Sequence, residues 1–314
     1  MTGDAPGRVH IAKRQRGLDA TAIGQLVFYL PSFVVSLVLV AGLAQAVLPH
    51  EGWVVVVAWL ASGAFAFHPP SEDFIARYLL RLRYPTPWES ARLEPQWRKV
   101  TARAGVEGRA YRLWVEDSDD LNALSAAGHI VGITRFALTL PEDQLAAVLA
   151  HELGHHTDGH AWSSLLGSWY AAPGRLAWAV VRAVTRFCRR FSSCLTFLLL
   201  IAVVGAVAAL ALAYWFVVVP LLAAPYLLAA VSRRAELRAD RHAAALGFAP
   251  MLAQVLHVMQ SQQWADPRTA GLALTAHGTT AATAHGGLPG KLLSSHPDYH
   301  TRLHHLRPYL EQAR

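Results

Sequence analysis

The residues best suited to chemistry are His151-Glu152-Leu153-Gly154-His155. In a helix, positions i and i+4 lie one turn apart on one face, so both imidazoles can ligate one ion. Glu152 sits about a quarter-turn round, where it can take a proton from a water polarised by that ion. The chemistry this predicts is hydrolysis of a carbonyl bond with one Zn2+ per chain.

A catalytic zinc needs a third protein ligand and an open position. The metzincin pattern requires Gly at 158 and His at 161, and the chain has Asp158 and Ala161. His156 reads as an exposed histidine and His160 as locally structural, because either would reach the same ion only if the helix broke. The better candidate is Arg234-Ala235-Glu236-Leu237-Arg238-Ala239-Asp240, where Glu236 and Asp240 are one turn apart on an alanine-rich helix. Glu236 is the expected third ligand. Asp240 is expected to accept the other ring N–H of a ligating histidine.

These side chains need a frame. The spacing of Leu145, Val148, Leu149 and Leu153 predicts an amphipathic helix starting near Pro141, with Glu142 and Asp143 in its first turn. A shorter helix is expected over Glu94–Ala104. Strands are expected at Tyr111–Val115 and Ile130–Thr134, around the turn signal Asp117-Ser118-Asp119-Asp120. The segment from Gln262 to Ser295, rich in Gly, Thr, Ala and His, reads as a loop.

The rest of the frame is membrane. Of 314 residues 54% are hydrophobic and only 16% charged, well below the roughly 25% usual for soluble domains. Disorder is excluded. From Ala22 to Phe67 the only charged side chain is Glu51, and Phe191–Ser232 has none. A span takes about 20 residues, so each block predicts a hairpin. The second turns between Ala213 and Pro220, fully spanning or re-entrant. Arginines cluster at Arg8–Arg16, Arg77–Arg83, Arg182–Arg190 and Arg233–Arg241. The positive-inside rule then puts both termini and the catalytic parts in the cytoplasm, as do the two cysteines, too few for a disulfide framework. The net charge of +7 comes almost wholly from arginine, without the basic, aromatic-interleaved surface that would point to nucleic acid.

The expected organisation is a basic N-terminus (1–21), a first hairpin (22–67), a catalytic part with the zinc helix (68–190), a second hairpin (191–232) and a second catalytic part with the third ligand and a C-terminal loop (233–314). The fold class is mostly α: a polytopic membrane protein of about four transmembrane helices carrying a zincin-like, gluzincin α+β domain with a small sheet.

At these residues the chain resembles the HtpX-like and CAAX-prenyl-protease type of integral-membrane zinc metallopeptidase. Leu121-Asn122-Ala123 with Gly128-His129-Ile130-Val131 is similar to the family's strand region ahead of the zinc helix. His151–His155 with His160, Glu236–Asp240, and Ser295-His296-Pro297 with Arg302 are similar to its later motifs. The resemblance implies that Asn122 and Ala123 line the substrate cleft beside an edge strand that pairs with an extended peptide. It implies that His296 steadies the developing oxyanion, and it leaves Arg302 as either an ion-pair or a site residue. The function expected is a zinc metalloendopeptidase acting on membrane or membrane-proximal proteins in the lipid bilayer. Two competitors are an intramembrane protease, disfavoured by Glu142, Asp143 and Gln144 on the zinc helix, and a non-catalytic or signalling protein of the same zinc fold.

Overall fold

The structure, a computed structural model, describes residues 20–65, 67–118, 123–126, 129–188, 194–265 and 297–312. The chain divides into two compact units. One comprises residues 1–24, 67–164 and 229–314, and the other residues 25–66 and 165–228.

The first unit carries the sheet. After α3 (Pro69–Phe74) and a π-turn, β1 (Leu82–Arg83) leads into α4 (Pro87–Ala104). This helix starts well ahead of the expected Glu94. Thr86 Oγ1 accepts from the Glu89 amide and the Glu89 carboxylate accepts from the Thr86 amide, a reciprocal cap with Pro87 at the first position. Strands β2 (Arg112–Glu116), β3 (Ala123–Ala126) and β4 (Ile130–Thr134) follow, in the order β1-β2-β4-β3. β4 pairs with β2 in parallel and with β3 antiparallel, which leaves β3 at the edge. Every residue of β4 is buried.

Helix α5 (Glu142–Thr157) packs beside β3 and against α4. Leu145, Leu149 and Leu153 join Leu93, Val100 and Ile133 in one core with Phe248 and Leu256. Phe248 ends a π-turn after α8 (Trp215–Ala243), and Leu256 lies on α9 (Ala249–Ala265). The C-terminal helix, α10 (Tyr299–Gln312), seals this core with fully buried Leu306. Each such side chain contributes about 1.5–3 kcal/mol, so apolar burial alone fixes the axis of α5.

The second unit is a set of apolar helices. α1 (Ala20–Val47) and α2 (Gly52–Phe65) form a tight hairpin, with Phe33 stacked on Trp59 at 5.9 Å. Helix α6 (His160–Cys188) lies along α1. Gly167 meets the Tyr29 ring, and the Gly174 amide donates to Ser36 Oγ at 3.0 Å. Both pairs are offset by the same 138 positions, so α6 and α1 run parallel. Tyr170 packs on Phe33 and Trp59 and donates to the Leu60 carbonyl. α7 (Cys194–Ala213) is joined to α8 at Tyr214.

Two differences from the sequence reading follow. The two compact units part at Ser164, inside the expected 68–190 segment, where Gly167 and Gly174 let the following residues sit against α1. The second charge-free block does break within the expected window, at Tyr214, but the helix that packs on the first hairpin is α6. By length and composition, two helices among the described residues can cross a membrane, Ala22–Val47 and Trp215–Ser261. A third counts if the pair Gly52–Phe65 and Pro70–Tyr78, bent by 82°, is one span.

Candidate metal centre

The α5 helix is anchored at its start, where Glu142 accepts from Gln96 Nε2 and Asp143 pairs with Lys99 on α4. It ends at Gly159, whose φ of 80° is a conformation glycine adopts freely, and α6 departs from there. Between these ends twelve consecutive residues, Leu145–His156, are buried. The glycine of the motif has its own purpose. A Cβ on Gly154 would lie 2.9 Å from Cα of Ala239, so only glycine lets the backbones of α5 and α8 approach this closely.

That approach brings the donor atoms together. Glu236 Oε2 lies 3.5 Å from His151 Nε2, and Glu236 Oε1 lies 3.4 Å from His155 Nε2. One ligand atom from each of the three residues falls within 4.8 Å of the others, and all three residues are buried. The two rings stand edge to face, with centroids 4.9 Å apart. Separations of 3.4–3.5 Å are long for hydrogen bonds. They match donor atoms held about 3.4 Å apart by two bonds of about 2.05 Å at a tetrahedral angle. Two imidazoles and a carboxylate are also the donor set zinc takes in catalytic sites, so the residues fit Zn2+.

The surroundings supply charge. Asp240 Oδ1 lies 2.9 Å from His151 Nδ1, an ion-pair contact without linear N–H···O alignment. Arg302 of α10 grips the same carboxylate with both arms of its guanidinium, at 2.6 and 2.8 Å, and reaches Glu236 Oε2 at 3.5 Å. Burial works against a charged imidazole at His151, but Asp240 and Glu236 outweigh it and push its pKa up to about 10. The pocket therefore favours a positive species between these groups. Burial also disfavours ionised Asp240, yet Arg302 and His151 hold its pKa below the ordinary value. Glu152 is buried next to the ligands, at 4% exposure.

The structure places the other candidates unevenly. Ala123 opens edge strand β3. Asn122, His296 and the segment 266–296 lie outside the described residues. His156, expected to be exposed, is buried: its Nε2 lies 3.0 Å from the Ile130 carbonyl of β4, and Tyr111 meets its ring edge-on. The reason is that α5 is enclosed almost all round, so a polar side chain there needs a backbone partner. Two residues gain weight beyond the sequence reading. Arg302 is the cation of the carboxylate pair. His242, two positions after Asp240, has its Cβ against Gly154. Only the proximity of Arg302 to the Ser-His-Pro motif signalled the first; nothing in the sequence marked the second.

Residues 87–310 match the model of peptidase family M48. Among solved structures, the fold is similar to the crystal structure of S. mikatae Ste24p. The TM-score is 0.50 at 18% identity, with 86% of this chain and 61% of that chain covered. The chain thus spans less than two thirds of that protein's length. Comparison with curated protein sequences yields no match.

Proposed function

The chain belongs to peptidase family M48, and from that premise we propose that it is an integral-membrane zinc endopeptidase acting on membrane or membrane-proximal proteins. The observation that carries this reading is the buried grouping of His151, His155 and Glu236, with Glu152 on the same helix turn. In this reading those three residues hold Zn2+. When bound, zinc polarises the scissile carbonyl and acidifies water.

The protein's own groups do the rest. Glu152 accepts the proton of the attacking water and passes it to the departing amine. Asp240 orients His151, and Arg302 keeps Asp240 and Glu236 fixed while offsetting their charge. Among the described residues β3 has no second strand neighbour; it lies beside α5, and its outer edge is where an extended peptide would pair in this reading. Asn122 and Ala123 sit at the entry to that strand in sequence. His296, by the family resemblance, donates to the carbonyl oxygen as it gains charge.

The topology proposed is cytoplasmic for the N-terminus and for residues 67–164 and 229–314, whereas Arg182 and Arg186, expected on the cytoplasmic side, fall in this reading at the far end of α6. Two features support it. The basic cluster Arg8–Arg16 precedes α1. Val231 of α8 packs on Gly24 at the start of α1, which returns the third-ligand helix to that end of α1. The crossings proposed are then α1, α2, α6 and α8, with α7 between the last two; α6 is not among the helices apolar enough by composition and takes this place, in the stead of the first half of the expected 191–232 hairpin, from its packing along α1.

The test uses the full chain in detergent, with bound zinc and casein hydrolysis measured together. Glu152→Gln is expected to keep its zinc and to lose about a hundredfold to ten-thousandfold in rate. Glu236→Ala is expected to lose the zinc itself. Undiminished hydrolysis by Glu152→Gln overturns the mechanism.

A further inference from the structure

Helix α6 carries more charge than its neighbours can answer. Arg175, Arg182 and Arg186 recur at intervals of seven and four, so they form one exposed stripe. Trp169, Leu176, Val180 and Phe187, at intervals of seven, four and seven, form a second exposed stripe that is wholly apolar. A third face, with Gly167 and Gly174, is taken up by α1. Within residues 25–66 and 165–228 the only acidic residue is Glu51. The arginine stripe therefore needs its counter-charge from outside this unit.

The register with α1 says where that charge must lie. Continuing the offset of 138 positions puts Arg182 level with Ala44 and Arg186 level with Leu48, at the turn between α1 and α2. A span this long ends at the headgroups there. Arg175 lies seven residues nearer the middle, about 10 Å deeper, and satisfies one arm on the Ser168 carbonyl at 2.7 Å. Arg186 Nε and Thr185 Oγ1 both donate to the Arg182 carbonyl, which draws the second guanidinium back over the first. An open surface concavity here is lined by Arg182, Thr185 and Arg186. Two guanidinium forks one helical turn apart suit a phosphodiester, which accepts bidentate N–H donation. The adjoining apolar stripe suits acyl chains. In the proposed topology this end of α6 faces away from the cytoplasm, where arginine is otherwise depleted, so the cluster calls for a ligand of its own.

We propose that Arg182 and Arg186 form a binding site for the headgroup phosphate of an anionic phospholipid, whose chains run along the Leu176–Val180–Phe187 stripe. The site rests on the membrane reading above and is independent of the peptidase reading. It also gives the bilayer a hold on α6, the helix that follows α5 across Gly159.

The full chain in nanodiscs of phosphatidylcholine doped with phosphatidylglycerol tests this, with co-purifying lipid counted by mass spectrometry. Wild type is expected to enrich phosphatidylglycerol about tenfold over its bulk fraction. Arg182→Gln/Arg186→Gln is expected to lose that enrichment. Arg182→Lys/Arg186→Lys, which keeps charge without the fork, is expected to retain part of it, and Arg307→Gln on α10 all of it. Equal enrichment in the Gln double variant overturns the site, as does wild-type lipid at the bulk ratio. Displacement of the lipid by millimolar inorganic phosphate overturns the lipid assignment in favour of a free-anion site. A chain that washes off membranes in carbonate refutes the membrane reading instead, and unaltered zinc content in the Gln double variant separates either failure from that of the peptidase.

Discussion

Helices α5 and α6 follow one another with only a glycine turn between them, yet they solve opposite problems. α5 buries His151, Glu152, His155 and His156 inside an apolar unit, setting His151 and His155 against acids and His156 against a backbone carbonyl. Beyond Ser164, α6 buries glycine and alanine against α1 and leaves its tryptophans, phenylalanine and arginines outward. Burial in the first unit concentrates charge where water is absent. In the second, packing rests on small residues because the solvent itself is apolar. The two helices thus read as inside-out versions of each other.

Substitutions can break that contrast, and the largest effect is expected at its most polar point. Arg302→Met strands Asp240 and Glu236 without their cation, and losing one partner of a buried pair costs about 3–5 kcal/mol. Chemical denaturation should show the loss, together with weaker zinc retention. Arg182→Gln, an exposed cation in the other unit, should shift the same curve by about 0.5 kcal/mol or less.

Next comes packing in the apolar unit. A Cβ on Gly167 would lie 2.1 Å from the Tyr29 ring. Gly167→Ala should therefore cost about 1–3 kcal/mol through overpacking, seen as a lower Tm in detergent.

Acid should act on the first unit only. The Arg83 fork, which outweighs burial, holds the Glu89 carboxyl down to about 2 from an ordinary 4.5. Stability from this pair is complete above about pH 4.5 and drains as pH falls towards 2. After discounting for the partly exposed Arg83, it amounts to about 2 kcal/mol. Glu89→Gln should flatten that acid limb in a pH series of unfolding curves. The smallest effect is expected at Gly205, where a Cβ meets nothing within 4 Å. Gly205→Ala should leave Tm within the range of about ±0.5 kcal/mol, or raise it slightly by stiffening the helix.

The contrast also explains what the sequence disclosed. The zinc helix was legible because both of its signals are local: an i, i+4 pair of histidines and an apolar repeat on the same segment. Glu236 and Asp240 were legible by chemistry, since a two-histidine site needs a third ligand and these acids, one turn apart on one helix, offer one. The enclosure of His156 was not, because it depends on β4 arriving from 26 residues away. Nor was the seat of α6. Its arginines mark a membrane boundary by charge, whereas its placement is decided by Gly167 and Gly174 meeting Tyr29 and Ser36, contacts that no hydropathy window registers. The early start of α4 is spelled out in Thr86-Pro87-Trp88-Glu89, a capping signature that the expectation of a helix from Glu94 left unused.

The Arg302–Asp240 grip spans 62 positions of sequence, and its consequence concerns time. In a chain synthesised from its N-terminus, α5 and α8 exist before α10 has been made. Until Arg302 arrives, Glu236 and Asp240 share one buried pocket without its guanidinium, and the part of their repulsion that it offsets opposes closure of that pocket. Docking of the last helix is the event that lifts it.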